Sequence, residues 1–138
     1  MMIDRHTSKT YENAAEELTR ALREELLEYA GLLELLQRQQ ALIFEENLLE
    51  LIKISDEISS QQQIVQSSRH TRTYWQKRTV QAMHEDDLLW DEMAHRLPVR
   101  NQVPLQLIRI EINSLLDQIQ VLLSQNQYLS RRATSPFD

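Results

Sequence analysis

Residues 105–129, LQLIRIEINSLLDQIQVLLSQNQYL, place Leu105, Ile108, Ile112, Leu115, Ile119, Leu122, Asn126 and Leu129 in one series. The spacing alternates three and four residues without a break. That is the heptad seam of an amphipathic helix lying along another helix, and a single polar member such as Asn126 fixes register in a seam of this kind. A second apolar row, Ile110, Leu116 and Leu123, widens the sticky surface beyond what one neighbour covers. Pro104 suits the first turn of a helix, where a missing N–H does no harm. The reading therefore runs this helix over 104–131 and leaves 132–138, with Ser135-Pro136, as a frayed tail.

Working back toward the start, Leu18, Leu22, Leu26, Tyr29, Leu33, Leu36 and Ile43 recur at helical spacing, with Glu16, Glu17, Arg20, Glu24, Glu28 and Glu34 on the polar side. This predicts a first helix over 7–43. Gly31 lies inside it at a cost of about 1 kcal/mol relative to Ala; it is read as a tolerated residue on the polar side, with a buried close approach as the alternative. The next stripe, Leu48, Leu51, Ile54, Ile58 and Val65, is out of phase with the first. Asn47 is a good N-cap, and Glu50 three residues on can return the hydrogen bond. The slip means either a skip in one very long helix or a chain reversal; the cap favours a reversal at 44–47 that opens a second, antiparallel helix over 47–83, and a continuous helix through 43–47 stays open. A boundary falls at His84–Asp87. A short helix over 87–97 carries Leu88, Leu89, Trp90, Met93 and Leu97, and Pro98 and Pro104 bracket a loop at 99–103.

Composition supports an all-α fold: a long antiparallel hairpin, a short helix and a C-terminal amphipathic helix in a single domain of 138 residues. The chain has one Gly and three Pro. A β-sandwich or barrel needs many Gly- and Pro-rich turns, and Rossmann and P-loop sites need several glycines in one loop, so these classes are excluded. Cysteine is absent, which excludes disulfides, thiolate metal sites and cysteine nucleophiles. The first ten residues lack the apolar centre of a signal peptide, and no apolar run approaches the roughly 18 residues of a membrane helix. The expectation is a soluble, cytoplasmic protein. Net charge is −6, unlike the basic balance of a general nucleic-acid binder. Residues 1–68 carry most of the acid, at −7, against +1 for the remainder.

Chemistry-bearing constellations are few. Glu92-Met93-Ala94-His95 has the Glu-x-x-His spacing of di-iron bundles, but such a site needs two of these motifs and two further glutamates, and no second motif exists. Asp86, Asp87, Asp91 and Glu92 are sequence neighbours that point apart on a helix, whereas acid–base catalysis needs carboxyls converging in a cleft. The reading is no enzyme, no metal and no cofactor. Arg69, Arg72, Lys77 and Arg78 fall in a window, Arg69–Met83, without acid and with Tyr74 and Trp75 interleaved. Single-stranded nucleic acid, an acidic partner protein, the chain's own acidic first helix and solvent all remain open there, with an internal or solvated role favoured. Trp75 and Trp90 are read as packing anchors.

The stretch Leu32-Leu33-Glu34-Leu35-Leu36-Gln37-Arg38-Gln39-Gln40-Ala41-Leu42, followed by Asn47, Leu51 and Ile58, resembles the first hairpin of FlgN-type flagellar export chaperones. Leu115–Leu129, with Asn126, is similar to that family's C-terminal helix. The likeness covers about two-thirds of the chain. It departs from the family at a second C-terminal asparagine, which is missing, and at acidic positions occupied by Gln37, Gln39 and Gln40. It implies a cytoplasmic chaperone that binds hook–filament junction (hook-associated) proteins and delivers them to the export apparatus. Matched by position, the cargo contacts would be Ile112, Leu115, Ile119, Leu122, Asn126 and Leu129, with Leu116 and Leu123 of the second apolar row beside them. The alternative is a non-enzymatic coiled-coil adaptor or dimeric scaffold. Homodimerisation through the same seam is open in either case.

Overall fold

The computed structural model describes residues 5–83 and 88–134. Among them there is no strand; the elements are α1 (Arg5–Glu45), α2 (Leu48–Ala82), α3 (Trp90–His95) and α4 (Val99–Thr134). The fold is all-α, with the two long helices α1 and α2 packed against each other.

The reversal lies where the phase slip placed it. Glu46 N–H donates to the Ile43 carbonyl at 3.1 Å and Asn47 N–H to the Leu42 carbonyl at 3.2 Å. This is a Schellman closure, whose left-handed residue is ordinarily glycine. Here that residue is Glu46, at φ 56°, a conformation that costs a side-chain-bearing residue about 1 kcal/mol or more. Asn47 then caps α2, its Oδ1 accepting from the Glu50 N–H at 3.3 Å. The Glu50 carboxylate does not complete a reciprocal box; it accepts instead from Lys53 Nζ at 3.4 Å.

Contacts divide the chain into two compact units. The first comprises residues up to Leu26 together with Ser67–Glu111. Its core joins Ala14, Ala15, Leu18, Ala21 and Leu22 of α1 to Met93 and Ala94 of α3 and to Leu97, Leu105 and Ile108. Buried polar groups lock it. Glu25, 2% exposed, takes a two-pronged contact from Arg72, with Nε to Oε2 at 3.0 Å and Nη2 to Oε1 at 3.3 Å. Asn101 Nδ2 donates to Thr19 Oγ1 at 3.4 Å, and Thr19 donates in turn to the Ala15 carbonyl at 2.9 Å. Tyr11 donates from its hydroxyl to the Arg96 carbonyl, and burial pushes its pKa upward. Arg109 lies 5.1 Å over the Trp90 ring and pairs with Asp91 at 2.7 Å.

The expected loop at 99–103 is helix: α4 begins at Val99. Leu97, Asn101, Leu105, Ile108 and Ile112 are all buried at helical spacing, so the buried stripe continues past Pro104 by way of a polar residue. Pro104 sits inside α4, near enough to its start that few intrahelical bonds are lost. At the other end α4 also outruns the expected limit, with residues 132–134 helical rather than tail. Arg131 and Arg132 in the last turn suit the negative end of the helix dipole, and the Arg132 guanidinium lies 6.0 Å over the Tyr128 ring. The short helix is tighter than expected, Trp90–His95 within 87–97. The boundary expected at 84–87 and the last four residues of the tail lie outside the described residues.

The second unit comprises Leu27–Gln66 and residues from Ile112 onward. Its core is larger-grained: Tyr29, Leu32, Leu33, Leu36 and Ile43 of α1, Ile54, Ile58 and Val65 of α2, and Ile112 and Ile119 of α4. Burying each Leu- or Ile-sized side chain contributes about 1.5–3 kcal/mol. Gly31 faces α2 rather than the polar side: a Cβ there would stand 3.1 Å from Gln61 Nε2. Gln61 uses that nitrogen to donate to the Glu28 carbonyl at 3.0 Å and to Glu28 Oε2 at 2.7 Å. Arg38 and Glu57 add an exposed α1–α2 ion pair at 3.5 Å.

Candidate interaction surface

The eight seam residues singled out in α4 fall into two groups. Ile112, Ile119 and Asn126, spaced by sevens, are buried in the second unit. Leu115, Leu116, Leu122, Leu123 and Leu129 flank them and are half-buried. Heptad spacing puts the first set on the line of closest approach to the hairpin, and the others rise on either side of it. Farther round the same helix, Val121 and Tyr128 are 55% and 60% exposed. α4 thus shows solvent an apolar flank as well as its buried edge.

Asn126 is the polar pin of this packing. Its Nδ2 donates to the Leu36 carbonyl at 2.9 Å and to Gln39 Oε1 at 2.9 Å, while its Oδ1 is buried without a partner. One residue away, Gln40 Nε2 donates to Gln125 Oε1 at 3.0 Å. These two contacts tie the end of α4 to a single register on α1. Beside them opens a cleft of about 360 Å³ lined by Leu36, Ile58, Leu123 and Asn126, with Gln39, Gln127, Ser130 and Arg131 at its edge. Leu36 and Ile58 are legible as stripe residues of α1 and α2. Their meeting with Leu123 is a tertiary fact that no local pattern carries.

The remaining constellations are dispersed. His95 is exposed and its Nδ1 donates to the Asp91 carbonyl at 2.7 Å, so the Glu-x-x-His motif closes on its own helix. Asp91 is engaged by Arg109. Among the described residues no group of three or more His, Asp or Glu is placed to hold a metal ion, and no helix is long and apolar enough to cross a membrane. The basic window divides. Arg72 turns inward to Glu25, and Thr79 is buried, donating to the Trp75 carbonyl at 2.7 Å. Tyr74, Lys77 and Arg78 face solvent.

Comparison of the chain with protein-family models, with curated proteins and with solved structures returns no match.

Proposed function

We propose that the chain is a cytoplasmic export chaperone of the FlgN type, one that receives a helical segment of hook-associated flagellar proteins on the C-terminal part of α4 and passes it to the export apparatus. The supporting observation is the half-open apolar flank of α4. Leu115, Leu122, Leu123 and Leu129 are incompletely covered, and Leu123 borders the cleft with Leu36 and Ile58. An amphipathic helix laid into such a groove binds chiefly by apolar burial, at about 25 cal/mol per Å² before the costs of association. The reading calls for no nucleotide, metal or cofactor.

Affinity capture with the full chain tests it. Hook-associated proteins should be retained, and Leu122→Asp should weaken retention about ten-fold or more with helical content unchanged. Tyr128→Ala, at an exposed position, provides a second variant with less risk to folding. Failure to retain those proteins, or retention indifferent to both variants, overturns the proposal. A second reading, a coiled-coil adaptor without a secretion role, draws on the hairpin end, where Phe44, Leu48 and Leu49 are 69–74% exposed. It gains if capture depends on those side chains and not on α4.

A further inference from the structure

In its first three turns α4 is apolar on two opposite sides. Asn101, Leu105 and Ile108 form the buried line that closes the first unit. On the other side Val99, Val103, Leu107 and Ile110 are 83%, 66%, 56% and 63% exposed. They stand four, four and three residues apart and fall within an arc of about 80° on the helix surface. No other residue of 99–111 lies in that arc. A solvated face in the same unit looks different: α1 shows Glu12, Glu16, Arg20, Arg23 and Glu24. Single exposed aliphatic side chains are ordinary, whereas four in one uninterrupted row mark an interaction surface. All four belong to the first unit, so the row owes nothing to the chaperone reading, which uses the second.

The row matches its own reverse, with a β-branched residue at each end and no charge within it. We propose that it is a self-association surface, on which two copies of the chain pair the start of α4 antiparallel about a two-fold axis level with Leu105. In that register Val103 of one copy meets Leu107 of the other, and Val99 meets Ile110, each contact occurring twice. The row points away from the buried line, so the body of the first unit stands behind each helix and leaves the approach open. One unpaired charge selects the direction. Glu111, just beyond the row, is exposed and enters none of the ion pairs of the described residues. α4 carries no acid in its own first turn. Antiparallel pairing brings Glu111 of each copy to the positive N-terminal end of the other's α4, where a carboxylate is favoured; parallel pairing sets Glu111 on Glu111. Arg100 and Arg109 are already held by Glu16 and Asp91 and take no part. Four apolar side chains from each copy make an interface below the roughly 800 Å² per partner of a standard one. The dimer is therefore weak, with a dissociation constant of about 100 µM.

Sedimentation equilibrium on the full chain tests it. Val103→Glu and Leu107→Glu should each raise the dissociation constant about ten-fold or more, with the circular dichroism unchanged because both side chains are exposed. An equal mixture of Val103→Glu and Leu107→Lys copies should associate again, since the two substituted positions face each other. Glu111→Gln should weaken the dimer about three-fold. The absence of cysteine makes the register directly readable, because an introduced thiol is the only one present. Under mild oxidation Val99→Cys should crosslink to Ile110→Cys in a mixture and not to itself, since two copies of residue 99 lie about 18 Å apart along the axis. Self-crosslinking of Val99→Cys in preference to the mixture, or a monomer at every concentration up to about 1 mM, overturns the proposal. So does a monomer whose flotation with anionic phospholipid vesicles, or whose retention of another protein, is abolished by Val103→Glu, because the row then belongs to that occupant.

Discussion

The two units of the molecule spend their interiors differently. In the first, α1 contributes Ala14, Ala15 and Ala21 and α3 contributes Ala94, and the space these small residues leave admits Thr19, Glu25, Thr79 and Asn101. In the second, the buried set is Leu, Ile, Val and Tyr, with Asn126 the one buried polar residue among those described. Small side chains let helices approach closely, and hydrogen-bonded polar groups then fix which approach is taken. Large aliphatic side chains give more apolar burial but a looser specification of the third helix, and here they leave the flank of α4 half-covered. One unit is closed by directional contacts between buried polar groups; the other is closed mainly by aliphatic packing, with the Asn126 and Gln40–Gln125 contacts holding its register.

The sharpest way to break this contrast is Arg72→Ala. Glu25 keeps its buried position but loses the two-pronged contact from Arg72, and removing one partner of a buried ion pair costs about 3 kcal/mol. Thermal melting should fall accordingly, with hydrogen-exchange protection lost first in residues of the first unit. A smaller effect of opposite sign is expected from Asn101→Leu. Asn101 Oδ1 is buried without a partner, and Leu continues the Leu97–Leu105 stripe, so stability in urea should rise by about 1.5 kcal/mol. A loss would mean that the Thr19 contact outweighs the stranded oxygen. The smallest effect belongs to the hairpin end of the second unit. Glu46→Gly relieves the left-handed backbone and should gain about 1 kcal/mol, read as a raised melting temperature.

Much of the fold is legible in the sequence because helical periodicity is a local signal. The stripes through Leu36, Ile58 and Ile119 each mark a buried line, and the phase slip between Ile43 and Leu48 marks the reversal although Glu46 stands where glycine is usual. The start of α4 is misread for a physical reason. Asn101 is polar, so it breaks an apolar pattern, yet it is buried because Thr19 of a distant segment receives its hydrogen bond. Glu25 escapes notice in the same way, as one more acid on a helix rich in them, until Arg72 is placed beside it. Gly31 looks solvent-facing because nothing in α1 says that Gln61 will lean across it. For the interaction surface, the seam supplies the residues, but which of them are covered depends on three helices meeting. Ile112, Ile119 and Asn126 are inside, and the leucines beside them are only partly so.

The hydrogen bond from Asn126 to the Leu36 carbonyl spans ninety residues of chain. During synthesis α1 leaves the ribosome, doubles back on α2 at a short loop, and must then wait, with Leu36 and Ile58 still wet, until the closing helix has been made. The early hairpin can form by local zippering, whereas α4 arrives as the last and most entropically costly closure. For that interval the nascent chain displays an apolar trough that the finished protein covers at Leu36 and Ile58, so its own terminal helix is the first ligand that trough ever meets.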